Sequence, residues 1–277
     1  MQKIRMFCSV LAAVFVVNIG IAAPVLGAAE CHVKVGVVPQ FEQRKLYRIW
    51  TPILAALKEA VHCDFELVGS KDIPAFEEAF KQGVYDIAYM NPYHALVANE
   101  AQGYVPLVRS GSKKLKGILV VRADSDIQSV KDLNGTKIAF PSPNALGAYL
   151  LMRTELSTLH HVEFEPMYVG NHPSVYLNTV KHITAAGGGV QRTLNAQNDM
   201  IKGKLRVLYV TSAVNAHPIV AHPRLGTDRS HAIQGALLKI AESKHDLTDK
   251  IPMKNPINTS MEDYQALKEL GMEKFAK

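Results

Sequence analysis

Three strand-to-helix junctions carry residue types that can hold a small charged ligand. In Phe140-Pro141-Ser142-Pro143-Asn144-Ala145-Leu146-Gly147 an apolar run ends and a helical pattern begins within a few residues. Ser142 or Asn144 can cap that helix. The free N–H groups behind the cap, at the positive end of the helix dipole, can hold an anion without a lysine. An ordinary capped helix start has the same appearance. In Asp86-Ile87-Ala88-Tyr89-Met90-Asn91-Pro92-Tyr93 an apolar strand runs into Tyr89, Asn91 and Tyr93, which can donate O–H or N–H groups. The alternative is a core Tyr89 with Asn91 capping the next helix. In Gly170-Asn171-His172-Pro173-Ser174, His172 can donate to an oxyanion or take up a proton near one, or be structural.

Other chemistry finds no support. Gly187-Gly188-Gly189 is not a phosphate-cradling loop, because neither GxxxxGK[ST] nor a GxGxxG after a strand occurs. These glycines either let the main chain approach a cleft closely or form a flexible turn. His160, His161, His217, His222, His231 and His245 have neither HExxH nor Cys/His spacing, so no metal is expected. No GxSxG and no nucleophile–base signature is found, and we expect neither an enzyme nor a cofactor. No Lys/Arg block or aromatic-basic stripe points to nucleic acid.

The elements that must position these residues follow from periodicity. Strands are expected at 33–38, 65–68, 87–90 and 105–109, with helices at 44–61, 73–82 and 93–102 between them. The 44–61 helix repeats apolar residues every 3.6 positions: Leu46, Ile49, Trp50, Ile53, Leu54 and Leu57. After the charged turn at 113–116 a second series starts. It has strands at 117–122, 137–140, 164–169 and 205–211, helices at 130–133, 145–156 and 174–184, and a short strand or turn from Val190. The tail is mostly helical, at 230–243 and 261–270. Such β-α-β alternation predicts parallel sheets with helices on both faces. The tail cannot form a core alone and is expected to pack on the first series. That gives one lobe from 30–116 with 212–277, a second inserted lobe at 117–211, and two strand crossings as a hinge. A ligand would lie between the lobes, at the carboxyl ends of strands.

Residues 1–29 read as a secretory leader. Lys3 and Arg5 precede an apolar run of 14 residues at 10–23, too short for a membrane span of ~20, and Gly27-Ala28-Ala29 offers a cleavage site. Removing it lowers the formal net charge from +6 to +4, an excess that suits an acidic ligand. Of three cysteines, Cys8 leaves with the leader. Cys31 and Cys63 open neighbouring strands of one β-α-β unit, starting at the same end of a parallel sheet, so a Cys31–Cys63 disulfide is expected.

Several ordered motifs resemble one family. They are Val35-Gly36-Val37-Val38-Pro39, Pro52-Ile53-Leu54-Ala55-Ala56-Leu57, Gly83-Val84-Tyr85-Asp86-Ile87-Ala88-Tyr89-Met90-Asn91-Pro92 and Leu119-Val120-Val121-Arg122-Ala123-Asp124-Ser125. Further on come Asp132-Leu133-Asn134-Gly135-Thr136-Lys137-Ile138-Ala139-Phe140, Ser142-Pro143-Asn144, Gly170-Asn171-His172 and His217-Pro218-Ile219-Val220. Across nearly all the mature length the chain resembles the phosphate/phosphite/phosphonate-binding family of ABC-transporter solute receptors. The resemblance implies an α/β, type II periplasmic binding protein fold, a periplasmic location, a monomer, and delivery of a small oxyanion to an ABC transporter permease. The alternative partner is a membrane sensor kinase, with the chain as its oxyanion-sensing subunit. The implied anion site falls on Ser142, Asn144, Ala145, Leu146 and Gly147, on Tyr89, Asn91 and Tyr93, and on His172, with Tyr47 similar to an aromatic lining the same cleft. Two departures stand out. Phosphonate binders place Ser/Thr hydroxyls where this chain has Ala145-Leu146-Gly147. Where amine-bearing phosphonates meet an acid, it has Gln191, which argues against an aminophosphonate.

Overall fold

Alternating apolar residues make β1 (His32–Val37), in which Val33, Val35 and Val37 are buried. In this computed structural model the described residues are 31–277; the expected leader lies outside them. Helix α1 (Gln43–Val61) buries Leu46, Ile49, Trp50, Ile53, Leu54 and Leu57 on one stripe, as the 3.6-residue period requires. It ends at His62, whose left-handed conformation (φ 53°) turns the chain into β2 (Asp64–Val68). Strands β1 and β2 pair in parallel with His32 opposite Asp64. This places the Cα atoms of Cys31 and Cys63 4.7 Å apart, and the two are disulfide-bonded.

The first sheet continues through α2 (Ile73–Lys81), β3 (Ile87–Tyr89), α3 (Pro92–Gln102) and β4 (Val105–Ser110). A two-residue strand, β5 (Lys114–Leu115), then leads into the second sheet. Its strands are β6 (Ile118–Arg122), β7 (Lys137–Phe140), β8 (Glu165–Tyr168), β9 (Ala186–Gly189) and β10 (Leu205–Val210). Their spatial order is β10-β6-β9-β7-β8. Helix α4 (Leu151–Thr158) follows a π-helical turn, Leu146–Leu150, and α5 (His172–Val180) follows β8. Two short helices, α6 (Gln191–Asn195) and α7 (Asp199–Lys202), lie between β9 and β10.

The chain returns through β11 (Val214–Asn215), which pairs antiparallel with β5, Leu115 opposite Val214. Then β12 (Ile219–Ala221) inserts between β3 and β4, antiparallel to both. After α8 (Thr227–Ser243) and α9 (His245–Thr248), β13 (Pro256–Asn258) completes the first sheet in the order β13-β4-β12-β3-β1-β2. A last short helix, α10 (Glu262–Gln265), leads to the C-terminal 3₁₀ turns.

Both sheets are therefore mixed, not wholly parallel. In the first sheet the returning strands β12 and β13 run against the others, and in the second sheet β6 is antiparallel to both of its neighbours, β10 and β9, because none of these strands is reached by a helical crossover from the strand it pairs with. The three glycines, expected either to let the main chain approach a cleft closely or to form a flexible turn, belong to β9, a fully buried strand in the middle of the second sheet. A Cβ on Gly188 would lie 2.3 Å from the Ala148 carbonyl oxygen, and one on Gly187 would lie 2.6 Å from Val175. Only glycine lets the helices approach this strand so closely.

Candidate functional site

The helix start after β7 is held by contacts that leave its amides free. The Oγ of Ser142 accepts from the Asn144 N–H (3.3 Å) and the Ala145 N–H donates to the Ser142 carbonyl (3.3 Å). Asn144 does not cap the helix, contrary to the capped start expected from sequence. Its Nδ2 donates to Glu77 Oε2 (2.7 Å) and the Lys277 carbonyl (2.7 Å), and its Oδ1 accepts from the Lys277 N–H (3.1 Å). The first helical residue is Leu146, preceded by Ala145 with no side-chain cap. The N–H groups of Leu146, Gly147 and Ala148 make no hydrogen bond outside their own helix among the described residues, and in a first turn they have no acceptor within it. The carbonyls behind them are pressed onto glycines: a Cβ on Gly117 would meet the Gly147 oxygen at 1.9 Å. The carbonyls therefore face the second sheet and the amides face away from it.

The residues that carry these amides line a small cavity of ≈ 20 Å³, room for about one water. Ala145 to Ala148, His172 and Val190 line it from the second sheet's side. Val38 and Gln40 beyond β1, Ile73 at the start of α2, Asn91 beyond β3 and His217 before β12 line it from the first sheet's side, with Leu115 of β5 at the edge. Asn91 caps α3 by accepting from the His94 N–H (2.8 Å) and donates its Nδ2 to the Asn144 carbonyl (3.2 Å). Gln40 Nε2 and His217 Nε2 are 3.2 Å apart. His172 begins α5, and its Nδ1 lies 3.2 Å from Thr193 Oγ1, which is itself held by the Tyr176 hydroxyl (2.7 Å) and the Val190 carbonyl (2.8 Å).

The lining is largely buried and contains no carboxylate. Burial pushes the His172 ring down to about 4. Burial first, then the proximity of His94, Arg192 and His172, pushes His217 down to about 3. Both imidazoles are therefore neutral at pH 7 and act as hydrogen-bond partners, not ions. The ring of Tyr89 stacks on His217 (centroids 5.3 Å apart) and packs on Trp50. Its hydroxyl is buried without a hydrogen-bond partner among the described residues, and burial raises its pKa well above the usual phenol value. A buried hydroxyl left unpaired costs about 1–3 kcal/mol.

With this geometry in hand, similarity to known proteins is informative. Residues 35–276 match the profile of a family described as ABC transporter, phosphonate, periplasmic substrate-binding protein. The chain belongs to that family. A relative, the phosphate-import protein PhnD of Mycolicibacterium smegmatis, is 23% identical over 212 residues, covering 69% of this chain. The match spans 66% of that relative, just under two thirds of its length. Among solved structures, a binding protein component of an ABC phosphonate transporter from Pseudomonas aeruginosa superposes with a TM-score of 0.79 at 13% identity, over 87% of this chain and 85% of that one. PhnD1 of Prochlorococcus marinus, solved in complex with methylphosphonate, gives 0.78 at 17% identity, over 87% and 97%. These likenesses show the periplasmic binding protein fold expected from the sequence.

For this phosphonate-family chain, the residues singled out from sequence divide in two. Asn91, Ala145, Leu146, Gly147 and His172 line the small cavity. Ser142 and Asn144 are buried just before the lining residues and are not themselves part of the lining, and Tyr89 packs on His217. The others lie elsewhere. Tyr47 sits on the exposed side of α1 and donates to the Leu67 carbonyl (2.8 Å). Tyr93 is half-buried on α3, its pKa raised by burial and then by Glu77, Glu273 and Glu100, surroundings unsuited to an anion. Gln191 donates to Asn195 Oδ1 (2.7 Å) and lines a second, outer cavity. Sequence reasoning missed Gln40 and His217 as site residues. Gln40 follows a strand's carboxyl end, the signal that could have found it; His217 is 177 residues away and joins it only because β12 returns to the first sheet.

Proposed function

We propose that the chain is a periplasmic receptor that captures a small oxyanion of the phosphate, phosphite or phosphonate type and delivers it to the permease of an ABC importer, with no catalytic step. In this reading two lobes, 30–116 with 212–277 and 117–211, close on the ligand about the β5/β11 ladder. One observation carries it: the free amides of Leu146, Gly147 and Ala148 share a cavity with His172 on one side and Gln40, Asn91 and His217 on the other. Oriented N–H groups at a helix start favour negative charge. His172 Nδ1 lies against Thr193 Oγ1, so Nε2 is the ring nitrogen left for a ligand, and the Tyr89 hydroxyl, without a partner among the described residues, is a further donor behind His217. The lining offers no carboxylate to bind a cation.

A thermal-shift series of the exported protein with phosphate, phosphite, methylphosphonate and sulfate tests this. At 100 times its dissociation constant a ligand adds about 2.7 kcal/mol. For a chain of this size that is a rise in Tm of about 5–10 °C. Failure of every oxyanion to raise Tm would defeat the reading.

A further inference from the structure

Beside the small cavity lies a larger one of ≈ 650 Å³, a volume typical of small-molecule sites. The two adjoin: Gln40, Leu115, Val190 and His217 line both. Their chemistry differs sharply. Where the inner cavity offers neutral donors, Lys113, Lys114, Lys116, Lys254 and Arg192 line the outer one against a single acid, Asp249. Among the described residues Lys113, Lys116 and Lys254 have no carboxylate within ion-pair distance. Lys114 donates to the neutral Asn215 Oδ1 (2.6 Å), and Arg192 to the Lys250 carbonyl.

Like charges crowded around a concave surface repel one another and raise the local positive potential. That arrangement attracts a negative group and rejects an ammonium. A molecule anchored by its oxyanion on the inner amides projects its substituent past the shared wall at Gln40 and His217 into this basic space. We propose that the ligand is doubly acidic: a phosphate or phosphonate whose tether carries a second anionic group, a carboxylate or another phosphoryl, held by Lys113, Lys116 and Lys254. This rests on the oxyanion reading of the inner cavity and extends it.

Isothermal titration of the exported protein with methylphosphonate, propylphosphonate and 3-phosphonopropionate tests the proposal. The last two differ mainly in the terminal carboxylate. We expect 3-phosphonopropionate to bind about 10-fold more tightly than propylphosphonate, because three exposed ion pairs of modest strength sum to that factor. The advantage shrinks as salt rises from about 50 to about 200 mM. The variant K113Q/K116Q/K254Q loses it while binding methylphosphonate within about twofold of wild type. If methylphosphonate binds but the two longer ligands bind equally, or propylphosphonate binds more tightly, the second anionic group is refuted and the oxyanion site stands. If methylphosphonate, phosphite and phosphate all fail to bind, both readings fall. The comparison of ligands on the unaltered protein decides the matter even if the triple variant does not fold.

Discussion

Two buried, neutral histidines make the protein sensitive to mild acid. His172 and His217 are 3% and 5% exposed, with folded pKa values near 4 and 3 against about 6.5 in an unfolded chain. Between about pH 6.5 and 4 the unfolded state therefore binds more protons than the folded one. Stability rises with pH through that window and is lost as pH falls. Integrated from pH 8 to pH 5, the loss is about 2 kcal/mol for each ring. Carboxylates such as Asp132 and Asp263 have folded values lowered from 3.8. Their contribution is present above that value and is lost only below it, outside the pH 8–5 interval. Urea unfolding of wild type and His172→Gln at pH 8 and pH 5, without added oxyanion, isolates the effect. The variant's loss on acidification should be smaller by about 2 kcal/mol. Equal losses would refute the assignment of His172 as a buried neutral ring.

Three other outcomes follow from particular contacts. Reducing Cys31–Cys63 frees a closure spanning 32 residues and should lower stability by about 3–4 kcal/mol on the chain-entropy account; coincident urea curves with and without reductant would show that the link contributes nothing. Gly117→Ala drives a methyl into the Gly147 carbonyl. It should cost about 1–3 kcal/mol and weaken oxyanion binding, whereas Gly235→Ala in α8, where a Cβ meets nothing within 4 Å, should stabilise by about 0.5–1 kcal/mol. Titration with methylphosphonate should find His172→Ala weaker than wild type and His160→Ala unchanged, because His172 lines the small cavity and His160 does not; equal effects would remove His172 from the site.

Much of this architecture is legible because it is local. Alternation at 32–37 and the 3.6-residue stripe of α1 each bury one face, and the disulfide follows from two cysteines opening adjacent parallel strands. What is illegible is decided by distant contacts. Strand β9 has the composition of a loop because its glycines answer to helix backbone and side chains packed on both faces, not to strand propensity. Asn144 reads as a cap, yet Glu77 and the main chain of residue 277 claim its amide. The same reason hides Gln40 and His217. Each is unremarkable in its own segment, and only sheet order makes them neighbours.

The cross-sheet bonds of Asn144 also set what a ligand must do to enter. Asn91 on the first sheet's side donates to the Asn144 carbonyl, and the Asn144 amide donates to Glu77, which is buried against His94 at 3.1 Å. With these bonds formed, the cavity beside the free amides has room for about one water. On the proposed reading, an oxyanion larger than that would reach the amides only if the two sides moved apart, and these bonds and the ligand would compete. Closure around a ligand is favoured only to the extent that its bonds to Leu146, Gly147, Ala148 and the two imidazoles exceed the ones displaced. On the oxyanion reading proposed above, the apparent affinity would be the intrinsic one multiplied by the fraction of molecules already open. Neutral donors suit that arrangement. A fixed cation in so buried a space would demand a partner of its own, whereas main-chain amides and neutral rings can stand beside one another without one.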